Sequence, residues 1–184
     1  MIRAKFPIDI DRTPKLQWAA LDDNTKVLHI GAGINPLYGE GVVNADAVQQ
    51  PDIDVIMDVT KPWPFPERSF TKVVGFEVIE HIPIAKAIHV FQEAWRVLVP
   101  RGLLILECPD FRKNVEEYIA GNSGMIEKIY GNSKGPGDPA HVWGWSADGL
   151  VTRAAATGFS FFWTGPGTDY HSVQLATIRL EAAK

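Results

Sequence analysis

The sequence predicts an α/β fold, a mostly parallel central sheet with one antiparallel strand at its C-terminal end. Three observations point there. Val27-Leu28-His29-Ile30 is a short apolar run with the character of a buried strand, closed by Gly31 and Gly33, residues that reach backbone conformations closed to others. Further apolar runs then alternate with helical or turn-rich segments, the pattern of parallel strands joined by right-handed crossovers. Finally, Phe159-Ser160-Phe161-Phe162-Trp163 and the run from Ser172 to Leu180 are joined by Thr164-Gly165-Pro166-Gly167-Thr168, too short for a crossover helix. Those two strands must pair antiparallel.

In chain order, residues 1–24 read as an N-terminal arm, in which 15–21 would form a helical turn or two, and 25–184 as a single domain. Only about ten residues separate Ile30 from Gly41, and Pro36, Gly39 and Gly41 lie among them, so the first crossover helix is cut to a turn or two. The second strand, Gly41-Val42-Val43-Asn44-Ala45, delivers Asp46 at its end. A second shortened crossover around Gln49–Asp52 leads to the third strand, Ile53–Met57, ending at Asp58. Three prolines make Thr60–Pro66 a rigid extended loop that pins Trp63 and Phe65 to the core. Thr71–Phe76 is the fourth strand. After Pro83, apolar residues at Ile84, Ile88, Phe91, Trp95 and Leu98 mark one face of a helix, with His89 on its solvent side. Pro100-Arg101-Gly102 stops it before a fifth strand, Leu103–Glu107. Phe111–Tyr130 is helical but broken at Gly121 and Gly124. A glycine-rich loop spans 131–137, and Ser146 starts a helix closed by Gly158.

Composition narrows the function. At 184 residues, 46% hydrophobic and 22% charged, the chain is an ordinary globular domain. A net charge of −4, with Lys128 and Lys134 outside any basic stripe, gives no support for a nucleic-acid footprint, and no nucleic-acid partner is expected. Cys108 is the one cysteine, so no internal disulfide forms, and with no basic neighbour in sequence it reads as a buried thiol. No apolar run approaches a membrane span and the first residues lack a signal-peptide core, so a cytoplasmic protein is expected. The five histidines, His29, His81, His89, His141 and His171, show no metal-ligand spacing, and no metal is expected.

A glycine turn after one strand and an acid after the next is a pattern that holds a nucleoside, with backbone beneath and the Asp46 carboxylate on the ribose hydroxyls. The alternative for Asp46 is a simple strand-end turn former. Glu80-His81, just before Pro83, reads first as a pair that organises the helix start.

Taken together, 27–35, Asp46, Asp58, Phe76-Glu77-Val78-Ile79-Glu80-His81 and the Arg96–Gly102 stop resemble the class I S-adenosylmethionine-dependent methyltransferases, in particular the small type 11 group, over roughly residues 25–110. The resemblance implies a single-domain Rossmann-like methyltransferase fold and S-adenosylmethionine as cofactor. It implies a cofactor site of Gly31, Ala32, Gly33, Asn35, Asp46, Ala47, Asp58, Val59 and Phe76. The glycine turn would lie against the methionyl part, Asp58 and Val59 at the adenine, and Phe76 would line the cofactor. The chain departs from the family pattern in three places: Asn35 stands where a third glycine is common, no acid neighbours His29, and the stop is Pro-Arg-Gly.

The expected reaction moves a methyl group to a small-molecule, sugar or lipid-like acceptor. A nicotinamide-dependent oxidoreductase is disfavoured because Asp46 lies 13 positions after Gly33, where that fingerprint wants about 20. A methyltransferase fold retained only as a binding module is the other alternative. The acceptor side falls to 77–82, 109–111 and the lid-like 131–145, with Gly131, Gly135 and Gly137 as hinges and Trp143 and Trp145 as apolar cover. His141 is the first candidate for general base toward a hydroxyl, and His81 the second. Shaping the loop is the alternative for both.

Overall fold

The computed structural model describes residues 26–131, 140–168 and 176–184. The proposed arm at 1–24, with Gly135, Gly137, His171 and the start of the expected last strand, lies outside them. One seven-stranded sheet runs in the order β3-β2-β1-β4-β5-β7-β6. The strands are β1 (Val27–Ile30), β2 (Val42–Asp46), β3 (Val55–Ile56), β4 (Phe70–Phe76), β5 (Leu98–Pro109), β6 (Ser160–Pro166) and β7 (Thr177–Ala183). The first five pair parallel with one another, and β7 runs antiparallel between β5 and β6. The expected hairpin is therefore present.

No helix joins β1 to β2, or β2 to β3. Side-chain hydrogen bonds do the work instead. The Asn44 amide, buried in the middle of β2, donates to the Leu37 carbonyl and accepts from the Leu37 N–H, both at 2.9 Å. This pair of bonds holds the loop after the glycine turn against β2. Asp54 accepts from the Asn44 N–H at 2.7 Å and ties the second short crossover to the same strand.

The helices are α1 (Ile84–Val97), α2 (Phe111–Ile119), α3 (Met125–Tyr130) and α4 (Ala147–Thr157). The break between α2 and α3 falls at Gly121 and Gly124 as expected. Ser146 caps α4 by accepting from the Gly149 N–H, and Gly158 ends it in the left-handed region at φ 112°. Leu28, Ile30, Val73, Leu104, Leu106 and Cys108 form the larger core with Ala87, Phe91 and Ala94 of α1 and Leu150 and Ala154 of α4. Val27, Val74, Phe76, Leu103 and Ile105, on the alternate positions, form a second cluster. No helix among the described residues is long and apolar enough to cross a membrane.

Four details correct the expectation. The third strand is only two residues long, because β3 pairs with β2 only at Ala45 and Asp46. The buried stripe of α1 is rotated to Ala87, Val90, Phe91, Ala94 and Val97, since small residues let the helix approach the sheet closely. Trp95 is thereby left at the edge, its ring under the Lys184 ammonium at 4.0 Å, and His89 is half-buried with its Nε2 shut off from solvent. The fifth strand starts directly at Leu98, with Arg101 at φ 66° turning within it. The final strands run on to Pro166 and Ala183.

Candidate functional site

The C-terminal edge of β1 and β2 carries the glycine turn. Gly31 and Gly33 have φ of 64° and 50°. A side chain at Gly31 would be driven into Val78, whereas a Cβ at Gly33 would meet nothing within 4 Å. The first glycine is thus required by packing and the second leaves open space above the turn. Asp46 Oδ2 accepts from the Gly33 N–H at 2.9 Å, and its Oδ1 accepts from the Val48 N–H at 2.8 Å. The acid and the glycine turn, 13 residues apart, are one hydrogen-bonded unit. Ala32 is buried, and Asn35 and Ala47 are exposed beside this unit. Ile34, Val48 and Ile56, at the ends of β1, β2 and β3, are large apolar side chains left 52–78% exposed, a feature that sequence reading missed.

Asp58 is engaged locally. Its Oδ1 accepts from the Thr60 N–H at 2.9 Å and hydroxyl at 2.7 Å, and these bonds hold its carboxyl below the usual carboxylate range. Val59 packs its side chain into the core while its carbonyl accepts from Trp63 Nε1. The proline loop that follows is clamped as expected. Glu93 accepts from the Trp63 N–H at 2.7 Å, and Arg96, paired to Glu93, donates to the Phe65 and Trp63 carbonyls.

Phe76, at the end of β4, is buried and stands edge-on to the His29 ring, with centroids 5.5 Å apart. His29 Nδ1 lies 3.2 Å from Asn44 Oδ1. Asn44 Oδ1 can only accept, so the neutral ring carries its proton on Nδ1. Burial pushes the His29 imidazole down to about 4, from an ordinary 6.5, against the opposing pull of Asn44 and Asp46. Between those two values the unfolded chain binds a proton that the folded chain refuses. Stability is therefore full above pH 6.5 and falls as pH drops toward 4. Urea melts of wild type and His29→Gln across that window should show a flatter pH slope in the variant. Identical slopes would remove His29 as their source.

At the ends of β4 and β5 lies a second group. Glu77, in the left-handed region at φ 51°, turns the chain out of β4 into a 3-10 turn, Ile79–His81. That turn bears Glu80, only 2% exposed, and half-buried His81. The segment 140–145 folds over it. The Val142 and Trp143 N–H groups both donate to the Glu80 carbonyl, and Trp145 Nε1 donates to the Ile79 carbonyl at 3.0 Å. These bonds bring His141 to His81, with ring centroids 5.0 Å apart, and place Glu80 Oε1 3.9 Å from His81 Nε2 and 4.0 Å from His141 Nε2. Burial lowers the pKa of both histidines, and for His141 the neighbouring His81 adds to the effect.

So the two histidines expected on the acceptor side do come together, 60 residues apart in sequence. Glu80, read as a helix-start residue, instead faces them, and α1 has no side-chain cap. Trp145 is core rather than cover, because its indole N–H is used inside; Trp143 remains 43% exposed. A small cleft of about 10 Å³, room for one water-sized group, lies beside these histidines and is lined by Glu80, Pro109, Phe111, Asn114, His141 and Trp143, among others. Cys108 is fully buried, and burial pushes its thiol well up, away from reactivity.

The methyltransferase domain family model matches residues 39–106. Solved structures share the fold at low identity. A possible histamine N-methyltransferase of Thermotoga maritima aligns with a TM-score of 0.60 at 15% identity, over 86% of this chain and 82% of that one. A putative methyltransferase of Bacillus halodurans aligns at 0.59 and 18%, over 90% and 95%. An S-adenosylmethionine-dependent methyltransferase of Mesorhizobium loti aligns at 0.57 and 12%, over 86% and 90%. No curated protein matches the chain.

Proposed function

We propose, for a chain that is a class I S-adenosylmethionine-dependent methyltransferase of the type 11 group, that it methylates a hydroxyl-bearing small molecule, sugar-like or lipid-like, held on the β4–β5 side. The observation that carries this reading is the pairing of two distinct sites at the same edge of the sheet. One is the open Gly33 turn bonded to Asp46; the other is the Glu80, His81 and His141 group beside a cleft.

In this reading Gly31, Ala32, Gly33 and Asn35 lie against the methionyl part, Asp46 and Ala47 at the ribose, Asp58 and Val59 toward the adenine, and Phe76 lines the cofactor from the end of β4. Asp46 then has a double task, since the same carboxylate organises the turn and takes the vicinal diol. The apolar Val48 and Ile56, exposed beside Asp46, suit the flank of a purine.

The transfer is an in-line displacement. S-adenosylmethionine, when bound, would supply a methyl group on a sulfonium, and an acceptor oxygen attacking that carbon would displace a neutral thioether as the carbon–sulfur bond breaks. Orientation and closeness supply most of the rate. A hydroxyl is a weak nucleophile, so its proton must leave as the new bond forms, and in this reading neutral His141, with His81 second, takes it.

Thermal-shift and titration measurements test the cofactor half. S-adenosylmethionine and its demethylated product should stabilise the fold, and NADH should not. Asp46→Ala should weaken cofactor binding by about 1.5–3 kcal/mol, roughly 10- to 150-fold. Unchanged affinity in that variant would overturn the assignment of Asp46. Incubation with labelled cofactor and a fractionated lysate, followed by identification of the methylated compound, tests the acceptor half. Label found only on nitrogen or carbon would sink the hydroxyl assignment.

A further inference from the structure

We infer that Glu80, His81 and His141 form a three-ligand site for one divalent transition-metal ion of the zinc type, with its open coordination position on the cleft lined by Phe111, Asn114 and Trp143. One ligand atom from each residue can be chosen so that all three lie within 4.8 Å of one another. The separations from Glu80 Oε1, 3.9 and 4.0 Å to the two histidine Nε2 atoms, are too long for hydrogen bonds. They are close to the spacing of about 3.4 Å between ligand atoms in a tetrahedral site with bonds near 2.0–2.1 Å. Small side-chain rotations would close the difference.

The surroundings fit ligands more than a simple packed cluster. His81 Nδ1 sits 3.1 Å from the Ala140 carbonyl, which can only accept, so the neutral ring keeps its proton there and its Nε2 lone pair faces Glu80. A ligating imidazole oriented through its other nitrogen is the usual support of a metal site. The two ligand-bearing segments are stitched together by the bonds from Val142 and Trp143 to the Glu80 carbonyl, and His141 N–H donates to the Tyr130 carbonyl at 2.9 Å.

Asn114 supplies an independent observation. It is 1% exposed and lines the same cleft, yet its amide nitrogen and oxygen meet no hydrogen-bond partner among the described residues. Buried amides are rarely left so, and a water or hydroxyl on an ion at this position would give Asn114 a partner. Two imidazoles and one carboxylate suit zinc or ferrous iron and disfavour magnesium, which prefers oxygen ligands.

For the reaction, this deepens the hydroxyl-acceptor reading and rests on it only for the use made of the ion. A hydroxyl bound to the ion would lose its proton more readily. The proton would pass to water, and the oxygen would then attack the methyl carbon as the carbon–sulfur bond breaks. Both histidines would serve as ligands in that state, and the task of proton removal would move from His141 to the ion.

The test uses the full chain stripped with a chelator. Equilibrium dialysis against zinc should give one ion per chain, with magnesium not competing. Cobalt(II) substituted in wild type should show the ligand-field spectrum of a nitrogen- and oxygen-ligated ion of low coordination number. His81→Gln and His141→Gln should each weaken zinc binding by roughly 100-fold, at or beyond the upper end of a second-shell loss. His89→Gln should bind as wild type. Retained binding of S-adenosylmethionine at the β1–β2 edge shows that a variant is folded. Absence of saturable zinc binding by wild type, an octahedral cobalt spectrum, or full affinity in both folded histidine variants would each overturn the site. Zinc binding without any methyl transfer to hydroxyls would leave the site standing and bring down the acceptor reading instead.

Discussion

Replacing Arg179 by alanine is expected to destabilise the folded chain by about 3–5 kcal/mol. On the sheet face that carries His29 and Phe76, Arg179 of β7 lies directly opposite Glu107 of β5 and two residues from Glu181. Its Nη1 donates to Glu107 Oε1 and its Nε to Glu181 Oε1, both at 2.7 Å. Both glutamates are fully buried and the arginine is 4% exposed. Thr168 completes the group. Its hydroxyl donates to Glu107 and accepts from Arg179, and its N–H donates to the second Glu107 oxygen. Burial raises the Glu181 pKa, against the pull of Arg179. Removing the guanidinium would leave two carboxylates facing each other without it. Urea melts at neutral pH measure the loss. The triple change Arg179→Met, Glu107→Leu and Glu181→Leu should recover most of it, because the apolar set removes the desolvation cost along with the attraction. A single variant within about 1 kcal/mol of wild type would show that the group relaxes into water instead.

His141→Gln should lower the turnover rate by about 100- to 10,000-fold with a hydroxyl acceptor, while cofactor affinity stays near wild type. The separation follows from placement: His141 stands at the ends of β4 and β5, and the Asp46–Gly33 unit at the ends of β1 and β2. Because burial and His81 lower its pKa, His141 stays neutral below the ordinary histidine range. In the ion-free chain, where His141 itself takes the proton, the acid limb of the rate profile should therefore fall below pH 6.5, where an unperturbed imidazole would place it. Normal turnover in the variant from about pH 6 to 9 would leave His141 as a packing residue.

What the chain alone determined is the framework. Apolar runs of strand length, the prolines at 62, 64 and 66, the glycines at 31, 33, 121, 124 and 158, and the Ser146 cap act within a few residues of themselves. Their positions therefore marked the strands, the rigid loop, the helix break and the helix ends. The glycine turn and Asp46 were legible as a pair for the same reason: two adjacent parallel strands with a short link between them bring their ends together. The shortness of the first two crossovers was also legible, from length and proline content.

Only the tertiary structure decided which polar residues are shared between distant strands and loops. Asn44 looks like an ordinary polar residue in a strand, yet it replaces a crossover helix by bonding Leu37. Glu107, Arg179 and Glu181, at alternate strand positions, carry the period of a solvent-facing side, and become buried only because they face one another across β5 and β7. The stripe of α1 turned toward its alanines because close approach, not side-chain size, governed the contact. The Glu80, His81 and His141 group depends on a loop 60 residues away being stitched to a 3-10 turn by main-chain bonds. Such bonds use groups that every residue carries, and so they leave no mark in residue type or spacing.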